Sequence, residues 1–223
     1  MRVLKKFFYI IVIFLTITLM SVLTVFVFAP AFNFSPWNGV YAVIAYAIII
    51  GVMTLVIAVF LRLLPPTLFK PSQLLFRPIG NERKFWAKLG IRRWKGLIPD
   101  ISGILKLFSK KTFKSTSDAD YIATFLYESN FAEVVHWLSM FAGFFAVFVP
   151  IDWINTGIIE VFLSLDRIVI VLPLAFVNAF LNLLPIILQR YNRPVILKIY
   201  KRALKNSNLS CRFPHLNDIW KKM

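Results

Sequence analysis

The chain has 223 residues, 59% of them hydrophobic, with 23 Phe and 6 Trp, and a formal net charge of +16. So apolar and aromatic a composition excludes an ordinary soluble domain and points to an integral membrane protein. The charge does not indicate a nucleic-acid binder, because Lys and Arg fall in three blocks between apolar spans, and the single cysteine, Cys211, excludes an intramolecular disulfide.

In chain order, the first predicted span covers about residues 7–29, behind Arg2, Lys5 and Lys6. Its apolar run is longer than that of a secretory signal peptide, so it is expected to remain as a membrane helix. The second, about 37–64, exceeds the roughly 20 residues that cross a hydrocarbon core and is expected to tilt or extend beyond it. The third and fourth spans are expected at about 131–149 and 168–188. Thirteen Lys or Arg lie from Arg62 to Lys114 and nine follow Leu188, whereas the loops "PAFNFSP" and "IDWINTGIIEVFLSLD" contain none. The positive-inside rule therefore assigns both termini and the middle loop to the cytoplasm, with Trp37 and Trp153 at the outer boundary. The expected fold is a single all-α integral membrane domain, residues 1–223. It has four transmembrane helices, a cytoplasmic interfacial segment at 65–130 with amphipathic helices, and a cytoplasmic tail at 189–223.

Within the interfacial segment, "NERKFWAKLGIRRWKGLIPDIS" puts Trp86, Leu89, Trp94 and Leu97 on one helical face and Lys84, Lys88 and Lys95 opposite. This describes a helix, or a helix pair interrupted at Gly90 and Gly96, lying in the lipid interface. Arg93 falls on the apolar face. It either snorkels to the headgroups or points into a site. "SKKTFKSTSDADY" reads as a polar connector.

The ionisable groups within spans are functional candidates, because each is costly there. In "ESNFAEVVHW", Glu133 and His136 are three apart and share a helix face, with Glu128 just before the membrane. A carboxylate can orient an imidazole as a general base; anchoring of His136 at the interface is the plainer alternative. The spacing of Glu128, Glu133 and His136 matches no familiar ligand motif, so no metal is expected. In the fourth span Asn178, Asn182, Pro185 and Gln189 form one stripe that continues to Asn192 and Arg193. Amides cannot be satisfied by lipid, so the stripe is expected to face the bundle, as part of a site or as glue between helices. His136 and Asn182 lie at similar depth on spans expected to be antiparallel neighbours. Beyond "QRYNRP", Val195, Ile196, Ile199 and Ala203 oppose Lys198, Lys201, Arg202 and Lys205, which predicts a separate surface-anchoring tail helix with Pro194 in its first turn.

"KFWAKLGIRRWKGLIPD", "ESNFAEVVHW" and "QRYNRP", in this order, resemble the glycosyl-diaponeurosporenoate acyltransferase family, small bacterial membrane enzymes of carotenoid glycolipid synthesis. The resemblance runs from about Arg83 to Ala203. It takes in Trp86, Arg92, Trp94, Lys95, Glu128, Glu133, His136, Trp137, Asn182, Gln189, Arg190, Tyr191, Asn192, Arg193 and Pro194. It implies transfer of a fatty acyl group to a sugar hydroxyl of a membrane glycolipid, in the plasma membrane of a bacterium. The residues then suggest roles. His136, oriented by Glu133, with Glu128 beside them, would act as base, and Asn182, Gln189 or Arg190 would stabilise the oxyanion. Arg92, Arg93 and Lys95 would hold the phosphates of an acyl-CoA or acyl-carrier donor. Trp86, Trp94, Trp137, Asn178, Tyr191, Asn192 and Arg193 complete the expected substrate-binding set. No cofactor and no covalent acyl-enzyme are required, since Cys211 lies in the tail and Ser129 and Ser139 lack a clear base. A small transporter with a proton relay, or a non-catalytic assembly protein, are the rival classes.

Overall fold

The computed structural model describes residues 8–32, 35–69, 73–98, 115–149 and 165–206. Among them every regular element is helical. Helix α1 (Phe8–Leu23) passes through a π turn (Thr24–Phe28), where Ala29 N–H reaches the Thr24 carbonyl just ahead of Pro30, into the short α2 (Ala29–Phe32). Helix α3 (Pro36–Leu63) follows, then 3₁₀ turns at Pro66–Phe69 and Leu74–Phe76. Next come α4 (Glu82–Lys88), α5 (Ile91–Trp94), α6 (Ala119–Phe145) and α7 (Leu165–Asn206). Four helical stretches are long and apolar enough to cross a bilayer: Ile10–Ala31, Pro36–Leu63, Ala119–Phe148 and Ile168–Leu204. Large apolar side chains such as Phe14, Phe26, Leu55 and Leu63 stand exposed on the first two, as they do where lipid is the solvent. The chain thus has the build of a multi-pass membrane protein.

The frame that positions the site is the antiparallel pair α6 and α7. Both outrun the spans expected from hydropathy. α6 begins twelve residues before Phe131, in a polar stretch, because Asp118 caps it. The Asp118 carboxylate accepts from Tyr121 N–H at 3.0 Å, and Ser115 Oγ accepts from Asp118 N–H at 3.1 Å, a cap contributing about 1 kcal/mol. Glu128 therefore lies within the helix rather than in a segment ahead of it. α7 does not stop at Leu188. It continues through Gln189–Pro194 to Asn206, so the helix expected to begin at Pro194 is part of α7. Pro173, Pro185 and Pro194 all sit inside α7, tolerated where neighbouring groups re-satisfy the freed carbonyls.

The face expected to anchor that tail to lipid is instead packed on protein. Ile196, Leu197, Tyr200 and Ala203 of α7 bury against Ile122, Ala123, Phe125 and Leu126 of α6. Farther along, Gly143 of α6 lets the helices close up: a Cβ there would stand 3.3 Å from Ala175 Cα, the small-residue contact common between membrane helices. At the far end α1 and α3 join through Met20, Val43, Tyr46 and Ile50, which pack on Ala146, Val147, Ile170, Val171 and Leu174.

The two tryptophans of the interfacial segment likewise meet protein, while Leu89 stays exposed. Gly90, at φ +67°, breaks the segment into α4 and α5, a left-handed turn that glycine adopts without strain. The turn folds Trp86 and Trp94 back so that both pack, half-buried, around Ile91, Ile187 and Tyr191.

Candidate active site

Two polar clusters stand on the α6–α7 seam. The first centres on Glu133, which has no exposed surface. Its Oε1 accepts from Arg190 Nε at 2.7 Å and its Oε2 accepts from Arg193 Nη2. Arg193, 2% exposed, also directs Nη1 to the Phe76 carbonyl at 3.5 Å, and its guanidinium lies 5.4 Å from the Phe76 ring centre. Arg190 reaches the carbonyls of Leu75 and Arg77 and, at 3.5 Å, the Glu82 carboxylate. Glu82 in turn accepts from Ile79 N–H and Trp86 Nε1–H, each at 3.1 Å. Two arginines thus fasten the 75–82 segment across the seam, balanced by two carboxylates. Removing one partner of so buried a pair costs about 3–5 kcal/mol, because the other charge is left unpaired.

The second cluster lies deeper. His136 Nδ1 is 2.9 Å from Asn182 Oδ1; Asn182 Nδ2 donates to the Asn178 carbonyl and to Asn178 Oδ1, each at 3.0 Å; and Asn178 Nδ2 donates to the Ser139 carbonyl at 2.8 Å. The amide stripe therefore faces the bundle and meets the imidazole. Arg62, near the end of α3, sets the depth. It grips Glu128 with two bonds of 2.9 and 2.8 Å and sits 4.1 Å over the Phe131 ring. His136 is eight residues further along α6, about 12 Å beyond that level at 1.5 Å per residue.

A family model described as glycosyl-4,4'-diaponeurosporenoate acyltransferase matches residues 65–202, a segment that contains every residue of both clusters. The chain belongs to the glycosyl-4,4'-diaponeurosporenoate acyltransferase family. It is 29% identical over 153 residues to the protein of that name from Staphylococcus haemolyticus, covering 66% of this chain and 78% of the relative. It is 28% identical over 149 residues to proteins of the same name from strains of Staphylococcus aureus, covering 62% and 78%. No solved structure matches. In this acyltransferase-family chain α1–α3 precede the matched segment, so Arg62 reaches Glu128 from outside it.

The residues singled out in the sequence sort as follows. His136, Asn182 and Asn178 come together, and Glu133 joins Arg190 and Arg193. Both Glu133 oxygens are held by guanidinium groups, and His136 Nδ1 meets the amide oxygen of Asn182. The expected orienting carboxylate is thus replaced by an amide. Tyr191 is buried and accepts from Arg92 Nε at 3.3 Å, a bond that raises the Arg92 pKa above its ordinary value. Arg83 lies 5.3 Å from the Tyr191 ring centre. Arg93 and Lys95 are exposed, so Arg93 does not point into the seam. Trp137 is half-buried and stacked on Phe141, and Asn192 is half-buried on α7. Trp137 Nε1 and Gln189 Oε1 are buried with no hydrogen-bond partner among the described residues, as are Ser139 Oγ and Arg193 Nε. No motif in the sequence marks Arg62, Gly143 or the carbonyls of Ser139 and Leu75–Arg77 as parts of these clusters. Only Glu82 left a trace, as an acidic residue one helical turn before Trp86.

Proposed function

We propose that this chain is a membrane O-acyltransferase that moves a fatty acyl group onto a sugar hydroxyl of a membrane glycolipid, a carotenoid glycoside or a close analogue, at the cytoplasmic leaflet of a bacterial plasma membrane. The observation that carries the reading is the 2.9 Å contact of His136 with Asn182 inside the spans, in a chain of this family. It holds a half-buried imidazole on the α6–α7 seam beside the amide stripe. The three basic blocks support cytoplasmic termini and a cytoplasmic middle segment.

In this reaction His136 takes the proton of the sugar hydroxyl as its oxygen attacks the carbonyl carbon of an acyl thioester. The C–O bond forms, the C–S bond breaks as the tetrahedral adduct collapses, and the proton passes from the imidazolium to the departing thiolate. The adduct's oxyanion needs N–H donors. Asn182 Nδ2 is engaged with Asn178, and Arg190 with Glu133, Glu82 and the loop carbonyls. We therefore assign the oxyanion to the Trp137 indole N–H, which is buried without a partner among the described residues, with the Gln189 NH₂ group as the second donor. Arg92, Arg93 and Lys95 attract the phosphates of an acyl-CoA, or of an acyl-carrier thioester. Glu133, Arg190 and Arg193 hold the seam in place.

Protein reconstituted in nanodiscs, given radiolabelled acyl-CoA or acyl-carrier thioester and a glycosylated carotenoid acid, is expected to yield the acyl ester. Failure with both donors across a full extract of bacterial glycolipids would overturn the reading.

A further inference from the structure

The bonds around His136 determine more than its position. A backbone carbonyl only accepts, so the Ser139 carbonyl, 2.8 Å from the Asn178 side chain, fixes which end of that amide carries the NH₂ group. The Asn178 carbonyl, 3.0 Å from Asn182 Nδ2, does the same for Asn182. Oδ1 of Asn182 therefore faces the ring, and an amide oxygen cannot donate. The atom opposite, Nδ1 of His136, must supply the hydrogen.

Building on the acyl-transfer reading above, we infer that Asn182 is a positioning residue that fixes neutral His136 as its Nδ1–H tautomer, leaving the basic lone pair on Nε2. Asn178 steadies Asn182 through its backbone carbonyl and its side-chain oxygen. Imidazole in water favours the opposite tautomer, so the protein has reversed the default. The consequence is directional. The proton-accepting nitrogen of that tautomer is Nε2, so the hydroxyl that His136 deprotonates is the one that reaches Nε2.

The chain has two histidines, so a ¹⁵N-histidine-labelled full-length His215→Gln protein reports on one ring. Solid-state or detergent NMR at neutral pH is expected to give a protonated Nδ1 and a pyridine-type Nε2. In Asn182→Ala the proton should move to Nε2, whereas Asn178→Ala, which keeps the backbone carbonyl, should retain the wild-type pattern in most molecules. Turnover should fall at least tenfold in Asn182→Ala at unchanged KM, and less in Asn178→Ala. A wild-type ring protonated at Nε2, neutral or doubly protonated, overturns the inference, and so does a wild-type pattern that survives in Asn182→Ala. The spectrum needs no substrate, so it tests the tautomer separately from acyl transfer: an inactive protein with the expected spectrum counts against the reaction and leaves the tautomer standing.

Discussion

Arg190 Nε approaches Glu133 Oε1 to 2.7 Å across the α6–α7 seam, with the carboxylate fully buried. The pair is shared with Arg193 and ties the seam to the segment around Phe76. Glu133→Ala leaves the buried Arg193 guanidinium without its carboxylate and only Glu82 opposite Arg190, so it should lower stability by about 3–5 kcal/mol. Thermal unfolding in detergent measures this. A Tm equal to wild type would show that the cluster is not the fastening described here.

The geometry at His136 predicts a different pattern of loss. His136→Gln should fold normally and reduce kcat/KM by about 10²–10⁴-fold, the usual contribution of a general base. In the wild type the rate should fall toward acid, because a protonated ring cannot accept the hydroxyl proton. That acid limb should be absent from the residual activity of His136→Gln. A pH–rate profile of both proteins checks the point.

Gly143 is the third test. A Cβ at this position would meet Asn178 Nδ2 at 2.8 Å as well as Ala175. Gly143→Ala should push that amide from the Ser139 carbonyl, cost about 1–3 kcal/mol in overpacking, and depress turnover. Gly51→Ala is the control. Nothing lies within 4 Å of a Cβ there, and an alanine suits a helix interior better than glycine does. Steady-state kinetics and unfolding of the two variants side by side separate crowding of the amide from a general effect of added methyl groups.

Arg62 and Glu128 should behave as a joint and not as chemistry. Arg62 is 45% exposed and Glu128 14%, so breaking the pair should cost about 1 kcal/mol or less. Arg62→Glu and Glu128→Arg should each weaken the protein, and the double reversal should recover most of the loss with near-normal turnover. A Glu128→Gln protein that folds but has lost activity would return this residue to the catalytic set.

Orientation has its own measurement. In a Cys211→Ser background, Asn155→Cys should react with a membrane-impermeant maleimide added outside intact cells. Labelling only after access from the cytoplasm would invert the proposed topology.

Much of this was legible in the sequence, for identifiable reasons. Hydropathy located the four spans, because lipid imposes both length and apolarity. Asn178 and Asn182 read correctly as inward-facing, since amides find no partner in hydrocarbon, and the depth of His136 matched that of Asn182. Hydropathy was blind where helix and membrane part company. Asp118 starts α6 in a polar stretch, and α7 runs on through Pro194. The partner of Glu133 was also illegible. Sitting three residues from His136 on one helix reveals nothing about the guanidinium groups that arrive from 57 and 60 residues downstream. The tryptophans of "KFWAKLGIRRWKG" showed an apolar face, yet a face suited to lipid suits Ile187 and Tyr191 equally well.

Helix α7 has 42 residues, about 63 Å at 1.5 Å per residue, against a hydrocarbon core of about 30 Å. One rod therefore carries Asn182 in the oily layer and Lys198, Lys201 and Arg202 at its far, exposed end. The helix is thus about twice as long as the layer it crosses, and its amide stripe and its charged end stand in different surroundings.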